Sequence, residues 1–346
     1  MRSLLDRKLF FSMTMDFLEV YLPQGHESSK TVKTYRDGLT IFRRYVTDVR
    51  KISIKEFTFS QCTFDFVLDY RNWLHDEKNR KPSTVNNRLA ALKAYLNYAA
   101  AKDIAIQSVH LSISEVPFMR VPKVVRPIIE SKDTLKDLLN SPPNTKLGCR
   151  DTMILSMLFD TMIRAEELIL LDLKDVHICG ENTFIFVHGK GNKERTVPIS
   201  EQLIPLIQDY LDRFHPNAKD EDTPFIFSAI HGVHSRMSER NVERIVKKYA
   251  DMTRKQHPDL PNSVYPHMFR RTRGTGLYRD GVAIEAIAVA MGHASIQTTK
   301  DHYAFPSLEQ KRNVMNMGEN LVISKKNEEK EWPDDEDELA RLCGLR

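Results

Sequence analysis

The sequence contains no long uninterrupted hydrophobic run. No stretch approaches the roughly eighteen apolar residues of a membrane-spanning helix, and charged residues such as Asp6, Lys8 and Asp16 interrupt the apolar N-terminal segment. We therefore expect neither a membrane span nor a secretory signal peptide.

Cysteine is scarce and dispersed. The four cysteines, Cys62, Cys149, Cys179 and Cys343, lie far apart and form no C-x-x-C pair. Zinc cages and disulfide scaffolds both require closely grouped cysteines, so we expect neither. A reducing, cytoplasmic location fits this usage best.

Length and charge indicate two domains and a polyanionic partner. The 346 residues are about twice a typical domain, and 41% hydrophobic with 28% charged residues is ordinary globular composition. The net charge is only +4, but residues 327–338 carry −7 and the first 326 residues carry +9. A basic body with an acidic tail suits a polyanion, although many proteins that never touch nucleic acid share this imbalance.

The first hundred residues read as helices. Residues 31–50 and 83–100 place apolar side chains at steps of three and four, and residues 6–21 and 61–78 do so less regularly. Three prolines and three basic residues then predict an extended cationic connector. The predicted organisation is a helical N-terminal domain over 1–105, a linker over 106–127, a catalytic domain over 128–320 and an acidic tail over 321–346.

The second half predicts a mostly helical domain with one small antiparallel sheet. Residues 183–199 form two β-rich runs around a glycine-containing turn, and we expect a single hairpin there. Helical patterns occupy 147–163, 201–214, 239–255, 267–279, 283–292 and 307–317. The fold class is therefore mainly α. In the tail, Leu339, Leu342 and Leu345 are spaced for a short docking helix, or the tail has no order.

Unusual polar groups interrupt this pattern in two segments that precede residue 200. Arg164 stands between two apolar helices in TMIRAEEL and requires a partner, for which a salt bridge to Glu167 is the simplest structural explanation. The hairpin turn HGKGNKER displays Lys190, Lys193 and Arg195, and lysines at such tips often serve solubility alone.

Two further polar segments follow. In YPHMFRRTR, His267 and Arg270 share one helix face and resemble a phosphate clamp beside a proton carrier, unless the helix is merely basic by chance. In MGHASIQTTKDHY, His293 follows Gly292, and Tyr303 lies ten residues beyond that histidine. A lone histidine or tyrosine there is more often structural than catalytic.

Taken together, the four segments describe phosphoryl transfer without a metal. Two guanidinium groups can neutralise a pentavalent phosphate, a lysine can protonate a leaving alkoxide, histidines can move protons and a tyrosine can be the nucleophile. The sequence offers no cluster of carboxylates suited to Mg²⁺.

The order and spacing resemble the tyrosine recombinases, or phage integrases, whose pattern is TG-x-R-x-x-E-L, a hairpin lysine in GKG, H-x-x-R, GH and a terminal tyrosine. The resemblance implies a catalytic set of Arg164, Lys190, His267, Arg270, His293 and the nucleophile Tyr303, with Glu167 in support. Two departures stand out. Met162 replaces the glycine before the first arginine, and His302 occupies the position that a nine-residue gap would give the tyrosine.

The resemblance also implies the fold and the partners. Residues 1–105 would be a SAM-like core-binding domain on double-stranded DNA, and Tyr303 would form a 3′-phosphotyrosine with no metal or nucleotide cofactor. Recombination would use four protomers on two sites, with residues 307–317 or the tail docked on a neighbouring protomer, and would serve a mobile genetic element. We also predict nine cations as DNA contacts: Arg43, Arg44, Lys93, Arg120, Lys123, Lys193, Arg195, Arg271 and Arg273.

Three other functions remain open at this point. A type IB topoisomerase would use a similar pocket to nick and reseal DNA without exchanging partners. A silent DNA-binding regulator would use the basic residues only to follow phosphates. A metal nuclease is disfavoured because His267, His293 and His302 have no supporting carboxylate set.

Overall fold

The structure is a computed structural model that describes residues 4–25, 28–122, 126–178, 182–189, 193–216, 222–230, 233–293, 295–303, 312 and 335–345. The chain divides into two compact units, Met1–Val125 and Arg126–Arg346. Within the described ranges, no helix is both long and apolar enough to cross a membrane.

The first unit is helical, as predicted. Ser28 and Thr63 cap the starts of two helices by accepting backbone N–H groups, and Pro82 opens a third at its first turn. The α-helices are α1 (Thr14–Asp16), α2 (Leu22–Gln24), α3 (Ser29–Arg44), α4 (Phe64–Asp76), α5 (Pro82–Lys102) and α6 (Gln107–Ser114). Shorter 3-10 or π-helical turns occupy Leu4–Arg7, Phe10–Met13, Phe17–Tyr21, Tyr45–Val49, Phe59–Gln61 and Ile104–Ile106.

Aromatic side chains form the core of this unit. The ring of Phe10 is fully buried, and its centroid lies 5.1–5.4 Å from the rings of Phe42, Phe57, Phe59 and Tyr95. Tilted and edge-on pairs at this distance add to the free energy gained by burying the rings. Since these rings come from distant parts of the sequence, they tie the N-terminal turns to α3 and α5.

The connector differs from its prediction at its N-terminal end. Residues 107–114 form α6 instead of extended chain, because Ile106 and Ile113 are buried in the core of the first unit and the first proline of the segment comes only at Pro117. The Nζ group of Lys93 donates to the carbonyls of Ser114 and Val116, at 2.8 and 2.7 Å, and caps the end of this helix. In the free protein Lys93 therefore closes α6, and its expected role as a DNA contact stays a prediction.

The second unit combines helices with two small sheets. The helices are α7 (Lys132–Asn140), α8 (Lys146–Asp160), α9 (Ala165–Leu170), α10 (Ile204–Phe214), α11 (Glu239–Thr253), α12 (Pro266–Arg279), α13 (Ile284–Met291), α14 (Ile296–Tyr303) and α15 (Glu336–Leu342). The strands are β1 (Val176–His177), β2 (Phe184–Gly189), β3 (Lys193–Pro198), β4 (Phe227–Ile230) and β5 (Val233–Arg236). A 3-10 turn occupies Leu173–Asp175.

Both sheets are antiparallel. The predicted hairpin is β2–β3, in which Phe184 pairs with Pro198 and Gly189 with Lys193, and β1 adds a third strand beside β2. The structure contains a second hairpin, β4–β5, which the sequence pattern does not predict. Its strands have four residues each, too few for an alternating pattern to distinguish them from a loop.

The core of the second unit places α12 against α8. Met153, Met157 and Leu158 of α8 are fully buried together with Met268 and Phe269 of α12. The opposite side of α12 meets α14 and α13 in a smaller cluster that contains Tyr303. The helix therefore lies between the main core and the segment that carries the predicted nucleophile.

Two predictions for the C-terminal part have different outcomes. The helix expected over 307–317 falls on residues that the structure does not describe, apart from residue 312. In the acidic tail, Glu336–Leu342 forms α15, so the helical alternative is the one observed. Its docking on a neighbouring protomer stays a prediction.

Candidate active site

The site begins where α9 starts. Arg164 stands immediately before the helix, and the Glu167 carboxylate accepts its backbone N–H at 2.8 Å, as N3 glutamates do at helix N-termini. The same carboxylate accepts Nη1 of Arg164 at 2.7 Å. The expected salt bridge is therefore present, while the Arg164 side chain remains 40% exposed.

Arg195 on β3 joins this pair. Its Nη1 and Nη2 donate to the two carboxylate oxygens of Glu167 at 3.1 and 2.9 Å. Burial alone would raise the pKa of Glu167, but the hydrogen bonds from Arg195 and the Arg164 backbone, with both positive charges, lower it to about 2. The Arg195 side chain is only 14% exposed, and the DNA contact expected of it stays a prediction.

Arg270 is the most deeply placed cation. It is fully buried on α12, where Nη1 donates to the carbonyl of Met162 and Nη2 donates to the carbonyl of Met291 at 2.7 Å. Both carbonyls belong to residues next to predicted motifs, so Arg270 links the Arg164 and His293 segments. Met162 has φ +54°, the left-handed conformation that favours glycine, at the position where the family pattern has glycine.

His293 contacts Arg270 and Thr299. Arg270 Nη2 lies 2.9 Å from His293 Nε2, and because guanidinium only donates, Nε2 is the unprotonated acceptor. The proton of the neutral ring therefore lies on Nδ1, which is 2.7 Å from Oγ1 of the fully buried Thr299. Thr299 was absent from the sequence prediction, although the Thr-Thr pair before Tyr303 is visible there.

Tyr303 ends α14 inside this cluster. It is 1% exposed, and its ring centroid lies 5.7 Å from that of His293. Gly274 on α12 provides the space, because a Cβ there would come within 2.9 Å of the Tyr303 ring and 2.3 Å of Met291. Desolvation lowers the pKa of Arg270, and an interaction with Tyr303 opposes that shift.

His267 opens α12 on the same side. Desolvation, with repulsion from Arg270, Arg271 and Arg164, lowers the pKa of His267 to about 4. The residue keeps an exposed face. At neutral pH it is therefore an uncharged imidazole that solvent can reach.

The remaining predicted DNA contacts fall into three groups. Arg271 is 2% exposed, donates to the hydroxyl of Tyr265 at 2.5 Å and covers its ring, and its expected DNA contact stays a prediction. Arg273 is partly buried with its guanidinium over the Phe159 ring. The exposed members are Arg43, Arg44 and Arg120.

Three predicted lysines cannot be placed in the site. Lys123 and Lys190 lie outside the described residues, and for Lys193 only the backbone pairing with Gly189 is described. Within the described ranges, no group of three or more His, Cys, Asp or Glu side chains is positioned to hold a metal ion.

The structure therefore brings together seven residues from five separate segments, namely Arg164, Glu167, Arg195, His267, Arg270, His293 and Tyr303. Six of them were predicted for the catalytic pocket, and Arg195 was predicted for the DNA surface. Positive charge, a neutral histidine and a tyrosine in one cluster suit a phosphodiester.

Comparison with protein families agrees with this arrangement. The model of the phage integrase family matches residues 131–309, and the model of the phage integrase SAM-like domain matches residues 10–113. The chain belongs to the phage integrase family. As a member of the phage integrases it is a tyrosine site-specific recombinase, an enzyme of DNA strand breakage and rejoining, and the predicted family, site-specific recombinase function and enzyme class are confirmed.

Individual relatives are distant but cover most of the chain. A tyrosine recombinase XerC of Natranaerobius thermophilus is 27% identical over 293 residues, covering 83% of this chain and 91% of that protein. A tyrosine recombinase XerD of Listeria innocua is 24% identical over 287 residues, covering 82% and 91%.

Solved structures support the predicted fold class. The Tn1549 transposon integrase in complex with transposon right end DNA has a TM-score of 0.63 at 19% identity, covering 87% of this chain and 98% of that one. A lambda integrase dimer bound to a core site has a TM-score of 0.60 at 15% identity, covering 84% and 94%. The mainly helical fold with a small antiparallel sheet is confirmed.

Proposed function

We propose that this integrase cuts and rejoins double-stranded DNA through Tyr303. The tyrosine oxygen attacks a phosphodiester phosphorus, the bond to the 5′-oxygen breaks, and a 3′-phosphotyrosine and a 5′-hydroxyl result. Attack on that linkage by the 5′-hydroxyl of a partner strand reverses the step and releases the tyrosine. The energy of the broken bond stays in the phosphotyrosine, so no nucleotide is consumed.

Three side chains take the non-bridging oxygens in this proposal: Arg164, Arg270 and His293. The observation that carries it is the contact of Arg270 with His293 beside Tyr303, because these groups come from α12, the turn after α13 and the end of α14. Guanidinium groups suit a phosphate since they offer several donors in one plane.

Two groups move protons. Lys190 protonates the departing 5′-oxygen, and His267 receives the proton of the tyrosine. His267 is uncharged at neutral pH and so can accept a proton. A bound phosphodiester anion offsets the arginine charges that hold the pKa of His267 down, so substrate binding strengthens it as a base.

Burial of Tyr303 adds a condition to this chemistry. A hydroxyl on a ring that is 1% exposed cannot reach a DNA phosphate, so α14 has to shift when the substrate binds. We infer that Arg270 and His293 exchange their mutual hydrogen bond for contacts with the phosphate in the same step.

A covalent-trapping experiment tests the proposal. The protein first selects a binding site from randomised duplexes, and that site is then offered as a nicked suicide duplex in chelator. We expect an SDS-resistant adduct whose peptide maps to Tyr303 and which Tyr303→Phe abolishes. Tyr278→Phe is the matched control, because Tyr278 packs against the same cluster from α12 and should leave the adduct intact.

Three outcomes would contradict the proposal. An adduct on another tyrosine would refute the assignment of Tyr303, and tight DNA binding without an adduct would favour a silent regulator. Relaxation of supercoiled DNA without recombinant products would favour the topoisomerase.

We propose further that four protomers join two DNA sites and that the reaction serves a mobile element. The transposon integrase among the structural neighbours supports that role. Cross-linking on paired sites, followed by mass measurement, should give four protomers per two duplexes. Recovery of precise excision junctions from cells that express the protein tests the mobile-element role, and junctions that do not depend on Tyr303 would oppose it.

A further inference from the structure

The charge balance around Glu167 points to a role for Arg195 that DNA contact does not explain. Glu167 is 5% exposed and accepts four hydrogen bonds, two from Arg164 and two from Arg195. With one negative and two positive charges, the three side chains carry a net charge of +1. Without Arg195, the single negative charge of Glu167 would neutralise the single positive charge of Arg164.

We propose that Arg195 is a positioning residue that holds Glu167 so that the charge of Arg164 stays available to the scissile phosphate. This inference rests on the proposed function. Arg195 does not touch the substrate in this scheme. The two Nη groups of Arg195 donate to the two carboxylate oxygens of Glu167. Arg164 donates the other two hydrogen bonds that this carboxylate accepts.

The turn at Gly292 provides independent support. Gly292 ends α13 with φ +64°, and a Cβ there would lie 2.8–3.0 Å from Cδ, Nε and Cζ of Arg195. The glycine before His293 is thus required both for its left-handed backbone and for the close approach of this guanidinium. Arg195 therefore fixes β3, the start of α9 and the His293 turn against one another.

The test separates positioning from DNA contact. It uses the full chain with the nicked suicide duplex on the selected site, and it measures both DNA affinity against salt and the rate of adduct formation at saturating DNA. For Arg195→Met we expect unchanged affinity and salt slope, with adduct formation slowed by about 100-fold. Arg213→Met is the matched control, because Arg213 is an exposed arginine paired with Asp209 on α10, and it should behave as wild type.

A double variant distinguishes positioning from simple stabilisation. Glu167→Gln removes the negative charge but can still accept the Arg164 backbone N–H. Adding Glu167→Gln to Arg195→Met restores the net charge of +1, so we expect the double variant to cleave about 10-fold faster than Arg195→Met. A purely structural Arg195 predicts a double variant that is no faster.

Each failure has a separate meaning. Absence of any wild-type adduct would overturn the proposed function itself. If the wild type forms its adduct, two results for Arg195→Met would overturn only the role of Arg195. The first is normal cleavage, and the second is normal cleavage with a salt slope of DNA binding reduced by about one. Thermal unfolding of every variant identifies a loss of adduct formation that comes from misfolding. In that case Arg195→Lys, which keeps the positive charge without the planar guanidinium, provides the comparison. A partly retained rate of adduct formation in Arg195→Lys supports positioning, and a wild-type rate opposes it.

Discussion

Thr299 provides the most direct test of how His293 is held. In the free protein its hydroxyl accepts the Nδ1 proton of His293 while Nε2 accepts from Arg270. To hold a phosphate oxygen, Nε2 has to become a donor, either through protonation of the ring or through transfer of its proton from Nδ1 to Nε2. A hydroxyl serves every one of these states, since it can accept from Nδ1 or donate to it.

Replacing Thr299 with valine keeps the shape of the side chain and removes this partner. Thr299 is fully buried and His293 is half-buried, so the loss of this hydrogen bond would cost about 1–2 kcal/mol. If the proton moved to Nε2 instead, it would face the Arg270 donor across 2.9 Å. Both outcomes are unfavourable, and we expect unfolding free energy to fall by about 1–2 kcal/mol and adduct formation to slow by about 10- to 100-fold.

The assay is single-turnover adduct formation on the nicked duplex, with unfolding in urea measured on the same samples. Thr299→Ser keeps the hydroxyl and should stay close to wild type. Thr298→Val makes the same chemical change one residue earlier on an exposed side chain and should have no effect. Thr299→Val with wild-type adduct formation would refute the reasoning, because His293 would then need no partner on Nδ1.

Two further predictions concern Met162 and Glu167. Met162→Gly should relieve about 1–2 kcal/mol of strain from the left-handed backbone but lose about 2–5 kcal/mol of buried side-chain packing. We therefore expect a lower free energy of unfolding in urea, and a more stable variant would contradict this account. The pKa of Glu167 is about 2 in the folded protein and lies below its value in the unfolded chain. The ionised carboxylate therefore contributes fully to the free energy of unfolding above the unfolded pKa, and this contribution is lost as pH falls toward 2. Wild type should therefore lose up to about 3 kcal/mol more than Glu167→Gln between pH 5 and pH 2, and parallel profiles for the two proteins would oppose the ion-pair account.

Helices with a regular apolar period and the hairpin with a glycine-containing turn were predicted from short stretches of sequence. The helical periodicity of 83–100 gave α5 within two residues at each end, and the turn at 189–193 gave the β2–β3 hairpin. Helix α6 was not predicted, because the prolines that follow it indicate extended chain, whereas burial of Ile106 and Ile113 in the core of the first unit stabilises a helix.

The environment of each arginine could not be predicted in the same way. Arg270 and Arg271 are adjacent and both are buried, yet one donates to the Met162 and Met291 carbonyls and the other to Tyr265. Arg195 was expected at the surface because the sequence places it in the glycine-containing hairpin turn. Only the tertiary structure brings Glu167 to it, and a carboxylate 28 residues away leaves no periodic signal near Arg195.

The site has a charge that suits the transition state better than the substrate. Arg164, Arg195 and Arg270 contribute three positive charges and Glu167 one negative charge, while His267 is held neutral by its low pKa. A phosphodiester carries one negative charge and the pentavalent phosphorane two, so the excess of positive charge among these described residues stabilises the phosphorane more than the bound phosphodiester. Only interactions that strengthen on the way to the transition state accelerate a reaction. Loss of the positive charge at Arg195 should therefore affect the cleavage rate more than the affinity for DNA.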